Sequence, residues 1–446
     1  MDSAIASRES RALDLSDTRM AAPIPADKLQ RLDRWAFVPV CAVLSWTRKF
    51  FGSVQPRERA EPPRKILFVK FAEMGSTVLA HGAIKRAVEM VGRENVFFLV
   101  FKENRFILDA LNLTPPENAI TISHDSLAEM IADSWAALLR IRRLGIDSAI
   151  DMEFFSRASA SFTFLTGAKQ RVGFHTFFGE GPYRGDLMTH RLLYNPYLHT
   201  SQIFLLMVEA FTQSPRTLPT FGIQPPETHD TLPMFAAQPE EIAKVEELVR
   251  RENGGIKPGA LILLNPNASD LLPLRKWPTE NYVSLAKALL ERFPEASVGM
   301  TGAPEEAETI AQVAREVGSP RCFSFAGKTT LRQLMVLYGV SDLLVTNDSG
   351  PAHFAAMTPI NVITLFGPET PSLFAAQTPR NTAISLGIAC SPCVNAYNNR
   401  QSPCTNNVCM KGIMVAMVFA EAERMLQARL KARVASAGEP GQTARA

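Results

Sequence analysis

The chain has 446 residues, enough for two full domains with tails. Its 46% apolar and 20% charged content is that of an ordinary globular protein with material for large cores. The 47 basic residues against 44 acidic ones leave +3, too small a surplus to point to nucleic acid as a partner.

Residues 1–60 read as an N-terminal tail. Its first stretch, MDSAIASRESRALDLSDTR, is polar and mixed in charge, so no secretory leader is expected. With six cysteines and no leader, a reducing, cytoplasmic location is expected. No apolar run reaches the roughly 18 residues of a membrane span. The segment Trp35 to Trp46, WAFVPVCAVLSW, is followed by Arg48, Lys49, Arg57, Arg59, Arg64 and Lys65. It suits two settings: the headgroup layer of an anionic leaflet, on the inner face of the cytoplasmic membrane, or the protein's own surface.

EPPRK, at 61–65, marks a boundary, because paired prolines resist helix. KILFVK (65–70) reads as a buried strand, followed by Gly75-Ser76-Thr77 and a helical pattern to about Val91. NVFFLVF (95–101) and IDSAID (146–151) are further strands, with an amphipathic helix at 126–145 between them. Prolines recur from Pro215 to Pro239, as at a junction. Alternation then restarts, with strands at 260–265, 297–302, 322–327, 342–347 and 361–367 and helices at 279–293, from Glu305 and at 331–340. A last helix is expected at about 412–433 and a disordered tail at 434–446. The reading is therefore α/β, with doubly wound parallel sheets in a domain at 61–235 and a second at 236–433.

In open parallel sheets ligands bind beyond the carboxyl ends of the strands. Polar clusters of the second half fall there: Asn265-Pro266-Asn267-Ala268-Ser269, Thr301-Gly302, Gly327-Lys328-Thr329 and Asp348-Ser349-Gly350. Gly350 allows close approach to a ligand, and the helix starting there offers free N–H groups and a positive dipole end. His353 lies one turn in, and Arg275-Lys276-Trp277-Pro278 adds two cations; together these suit a diphosphate. Taken alone, Asp-Ser-Gly at a helix start also reads as a plain N-cap.

The runs RKWP (275–278), FAGKTTLRQ (325–333) and NDSGPAHFAAMTPINVITLFGPETP (347–371) resemble the C-terminal half of glycosyltransferase family 9, the ADP-heptose:lipopolysaccharide heptosyltransferases and their relatives. The resemblance is strong over 260–415 and weaker over 65–195. It implies a GT-B architecture, two Rossmann-like domains facing a cleft, with a nucleotide sugar held by the second. It also implies an inverting transferase, moving heptose from ADP-heptose onto a lipopolysaccharide-core or related lipid-linked saccharide. By that analogy Asn267, Ser269, Lys276, Thr301, Gly302, Lys328, Asp348, Ser349, Gly350 and His353 bind the donor. Gly75, Ser76, Lys102 and Arg105 then face the acceptor, with Arg171 and Arg184 as further partners for acceptor phosphates.

One position departs from the family. Its members usually place an aspartate, the candidate general base, directly after the glycine that follows the first strand; here that residue is Ser76. Serine cannot take up a proton at neutral pH, so Glu73, three residues earlier, is the candidate base, with His81 a poorer one. Cys390, Cys393, Cys404 and Cys409 could hold a structural zinc or stand as reduced thiols. No Asp-x-Asp occurs, so neither a metal clamp nor another cofactor is expected. Two alternatives stay open: a non-catalytic relative that binds nucleotide sugar or glycolipid, as Ser76 would suit, and a transferase using another sugar nucleotide.

Overall fold

The computed structural model describes residues 26–51, 61–71, 73–224, 232–268 and 272–437. Ser269 of the expected donor set lies outside the described residues, as do 1–25 and 438–446 of the two tails. Apolar runs become strands buried on both faces in the middle of each sheet, as parallel strands between two helix layers must be, and more polar strands complete the sheets toward their edges. In the first half these are β1 (Ile66–Val69), β2 (Val96–Phe101), β3 (Ala119–Ile122), β4 (Ser148–Asp151), β5 (Gln170–Phe174) and β6 (His190–Leu192). The second half holds β7 (Ala260–Asn265), β8 (Ala296–Met300), β9 (Cys322–Ser324), β10 (Leu343–Asn347), β11 (Asn361–Leu365) and β12 (Asn381–Ile384).

The sheets run β3-β2-β1-β4-β5-β6 and β12-β11-β10-β7-β8-β9, with every pairing parallel. Strand order therefore reverses between β1 and β4 in one sheet and between β10 and β7 in the other. A ligand crevice belongs at those two places. The single helix expected after β1 is two, Met74–Leu79 and His81–Val91. They part at Ala80, whose N–H is shared between the carbonyls of Ser76 and Thr77. The final helix, Val415–Ala437, packs on Thr279–Arg292.

Among the described residues no helix is long and apolar enough to cross a membrane. The Trp35–Trp46 stretch lies in two helices, Ala26–Trp35 and Phe37–Phe51. One face of the second helix docks on the first domain. Cys41 is buried with Ala160, Leu187 and Met188, and Arg48 donates to the carbonyls of Asp186 and Met188. The opposite face leaves Val40, Val43, Trp46 and Phe50 exposed, the last by 68%.

Asp33, on the first of these helices, caps a helix that is not its own. Its carboxylate accepts from the backbone N–H groups of Arg157 (2.8 Å) and Ala158 (2.7 Å) at the start of the helix Arg157–Leu165. The Ser156 hydroxyl and the Arg157 guanidinium also donate to it. Asp33→Ala removes the cap and should lower unfolding stability by about 1–2 kcal/mol. An unchanged urea midpoint would show that the first of these helices is not fastened there.

Candidate active site

At the end of β10 the chain turns through residues that tie several loops together. The buried Asn347 side chain accepts from Trp277 N (3.0 Å) and Tyr282 Oη (3.1 Å), and donates to the carbonyls of Pro266 and Asn267. The loops after β7 and β10 are thus fixed to each other across the switch point. Arg275 donates to the Asp348 carbonyl at 3.0 Å, and its guanidinium lies 3.9 Å from the Asp348 carboxylate and 4.0 Å from that of Glu369.

Asp348 and Glu369 are both almost fully buried and hydrogen-bonded to each other. Burial pushes the Asp348 carboxyl up, against the pull of Arg275 and of the bond from Glu369. Glu369 is pushed up to about 8, by burial first and by the Asp348 charge, with Arg275 opposing. Two carboxylates this close cannot readily both ionise, so the pair shares a proton near neutrality. A folded-state value above the unfolded one means the folded chain holds a proton the unfolded chain has lost. Stability should therefore fall by about 2–3 kcal/mol between pH 6 and 9, and Glu369→Gln should flatten that slope. Parallel stability–pH profiles of the two proteins would rule out the shared proton.

The first domain meets this site with the end of β1. Glu73 holds a left-handed backbone (φ 67°), unusual for a side-chain-bearing residue. The Ser76 backbone N–H (3.0 Å) and hydroxyl (2.7 Å) both donate to the Glu73 carbonyl and fix that turn. Ser76 is buried and so engaged in holding the loop. The Glu73 carboxylate pairs with Arg400 on one oxygen and stands 3.6 Å from the Lys70 ammonium on the other. Lys70, buried, also pairs with Glu153 at 3.2 Å, and burial lowers its pKa.

Arg400 joins the two halves. Its guanidinium lies between the Phe154 and Phe374 rings and reaches Glu369 at 3.3 Å as well as Glu73. Burial lowers its pKa to about 10, still a full cation at neutral pH. A chain of charges thus runs from Glu73 through Arg400 to Glu369, Asp348 and Arg275. The domains also touch at Gly75, where an added Cβ would lie 2.6 Å from the His353 ring. His353 is buried and its pKa falls to about 3, through burial and then the neighbouring His199 and Arg275. It faces the site as a neutral ring.

The other expected donor residues fall along the same edge. Thr301 is buried with its hydroxyl unpartnered, and the Asn267 side-chain NH2 is also buried without a partner. Gly302 accepts from the Gly327 N–H, Lys276 is half-buried, and Ser349 donates to the Asn347 carbonyl. Gly350 begins a short helix, Gly350–Ala355, in which a Cβ would stand 3.3 Å from the Phe354 ring. Lys328 is turned to Glu252 at 2.6 Å.

Of the residues expected to face the acceptor, Lys102 is exposed and Arg105 bonds the Pro116 carbonyl and Asp109. Arg171 and Arg184 do not serve acceptor phosphates. Arg171 is buried, donating to the Leu187 and Ala168 carbonyls over the Phe164 ring, and Arg184 is buried against Asp151. His81 is buried beside His353 and Ser201 around a cavity of about 20 Å³, away from Glu73's partners. Cys390, Cys393, Cys404 and Cys409 are free thiols, and among the described residues no group of three or more His, Cys, Asp or Glu side chains is placed to hold a metal.

Sequence reasoning missed Arg400 and Glu369. Glu369 carried a signal, since it follows the end of β11 as Asp348 follows β10. Arg400 carried none: it sits on a long loop before the last helix, itself left-handed at φ 55°.

Comparison with known proteins bears on the family and the fold. The chain is 28% identical over 219 residues to lipooligosaccharide heptosyltransferase 2 of Haemophilus ducreyi, covering 48% of this chain and 59% of that protein. It is 26% identical over 166 residues to the Campylobacter jejuni protein of the same name, covering 37% of this chain and 50% of that one. The chain therefore spans only about half to three-fifths of the length of these curated relatives. The structure of Escherichia coli ADP-heptose lps heptosyltransferase II superposes with a TM-score of 0.59 at 18% identity, over 82% of this chain and 99% of that one. A glycosyl transferase family 9 structure from Veillonella parvula gives 0.62 at 16% identity, over 83% and 99%. These likenesses confirm the GT-B fold. The sequence profile described as glycosyltransferase family 9 (heptosyltransferase) matches residues 135–402, more than half of the chain, and the chain belongs to that family.

Proposed function

We propose that the chain is an inverting glycosyltransferase that moves heptose from ADP-heptose onto a lipopolysaccharide-core or related lipid-linked saccharide. The observation that carries this reading is the juxtaposition of Glu73, on the acceptor-side domain (61–235), with the Asp348–His353 strand end of the donor-side domain (236–433). Arg400 bridges them. Solved relatives include Escherichia coli heptosyltransferase WaaC with ADP and with ADP-2-deoxy-2-fluoro heptose, which supports a nucleotide sugar here.

In the transfer, an acceptor hydroxyl oxygen attacks the anomeric carbon as the bond from that carbon to the diphosphate oxygen breaks. The hydroxyl proton passes to the Glu73 carboxylate, and ADP departs with the bonding electrons. Arg275, Lys276 and the N–H groups at Gly350 balance the charge growing on the diphosphate. Neutral His353 serves as a hydrogen-bonding partner. The Gly75–His353 contact is where the domains close over the substrates.

The exposed Val40, Val43, Trp46 and Phe50 face, with the exposed Lys49 beside it, supports peripheral attachment to an anionic membrane on the cytoplasmic side. A product-release assay across a panel of nucleotide sugars, with lipid-linked acceptor present, tests the reading. Release of ADP from ADP-heptose alone is the expected result. Release from another donor would reassign the sugar, and binding without release from any donor would favour the non-catalytic alternative that Ser76 suits.

A further inference from the structure

Beside Glu73, between the first domain, the two N-terminal helices and loops of the second domain, lies a cavity of about 710 Å³, in the size range of small-molecule sites. Its walls include Phe71, Phe101 and Phe162. Ile131, Trp135 and Leu165 also line it and are 52%, 62% and 37% exposed, which makes them its mouth. Glu73, Arg275 and Arg400 form its inner end.

Several of the charged groups along the wall are engaged within the protein, while Arg34 is exposed. Asp33 is held by the helix it caps, and Arg142 donates to the Leu165 carbonyl at 2.7 Å. Ser161 faces Cys41. The apolar wall therefore offers little to hold a sugar ring, whereas the polar groups gather at the reacting end.

We propose that this cavity seats a hydrocarbon chain of the lipid-linked acceptor, with the acceptor's polar end toward Glu73 and Arg400. The inference rests on the transferase reading above and names the part of the acceptor that this cavity grips. Two observations choose this occupant. Polarity changes along the cavity as it does along an amphiphile, apolar at the mouth and charged at the inner end. The helices that frame the mouth also carry the exposed Trp35 and Trp46 and the exposed Leu127 and Leu139, so a chain held in a bilayer would meet the opening from an apolar surface. Each methylene buried should raise affinity roughly fourfold.

The test uses the full-length protein and the fluorescent fatty acid cis-parinaric acid. Wild-type protein should bind the probe saturably. Ser134→Trp, a half-buried helix position in the lining, should weaken that binding at least tenfold while leaving ADP affinity and the circular-dichroism spectrum unchanged. In transfer assays the same variant should raise KM for the lipid-linked acceptor at least tenfold, with KM for the delipidated saccharide unmoved. Absence of probe binding to the wild type, whether the chain's own residues fill the cavity or nothing apolar enters, overturns the inference. So does equal binding by the variant. Transfer to the delipidated saccharide without probe binding would leave the transferase reading intact and remove only the lipid seat. Probe binding that Ser134→Trp abolishes, without turnover of any donor, would support the seat and count against the transferase reading.

Discussion

Glu73→Gln should lower turnover by about 10²–10⁴-fold and leave ADP affinity within about threefold of wild type. The carboxylate is on the acceptor-side domain, at the end of β1, while the donor-site residues named here lie on the other domain. Glutamine keeps the size of the side chain and its ability to accept from Arg400, but it cannot take up the hydroxyl proton. Ser76→Ala is the matched control. The Ser76 hydroxyl donates to the Glu73 carbonyl at 2.7 Å, so its loss loosens the turn without removing a proton acceptor. The expected cost is about 1 kcal/mol of stability and a few-fold in rate. Turnover by Glu73→Gln within about threefold of wild type would remove Glu73 as the base.

Arg275→Met should destabilise the protein by about 3 kcal/mol at pH 8 and abolish measurable ADP binding. Arg275 lies 3.9 Å from the Asp348 carboxylate and 4.0 Å from that of Glu369, which Arg400 also reaches, and its side chain is only 12% exposed. Removing it leaves two buried carboxyls with less compensation, and the diphosphate loses a positive partner. The sign of the pH dependence follows from the raised carboxyl values. Arg275 holds both carboxyls down, so without it the pair keeps its proton to higher pH than in the wild type; the loss is smaller at pH 6 and grows as the wild-type pair ionises at pH 8 and above. Thermal unfolding of the variant at the two pH values checks this. An equal loss at both would mean that the guanidinium acts through packing and not through charge.

Strands in the middle of each sheet were legible because they are continuous apolar runs: ILFV in β1, ALILLN in β7 and NVITL in β11 are all but fully buried. The missed strands lie toward the sheet edges, where one side is less covered and polar residues are tolerated. QRVGF in β5 carries Arg171, HRL in β6 is three residues long, and NTAI in β12 is only half-buried throughout. The Trp35–Trp46 stretch was ambiguous for a physical reason. Its second helix has one face fastened to the first domain by Cys41, Ser45 and Arg48, as the surface-packing reading expects, and another left apolar and exposed, which is the face a membrane reading would need.

The donor edge was readable from the rule that ligands sit beyond strand ends, which singled out Asp348, Ser349 and Gly350. Glu73 was singled out because Ser76 lacks a proton acceptor, and its carboxylate is found against Arg400. Arg400 was not, because it meets Glu73 across 327 residues of sequence, from a loop with no periodic pattern. The buried state of His353 was equally hidden: the ring packs against Gly75 of the other domain, and burial, with His199 and Arg275 adding to it, keeps it neutral.

The most direct measurement is the mass of a lipid-linked, heptose-free core acceptor after incubation with ADP-heptose and the wild-type protein. The account predicts an acceptor heavier by one heptosyl residue, with one ADP released for each acceptor modified. ADP-heptose bound tightly, with acceptor mass unchanged and no ADP released, would contradict it.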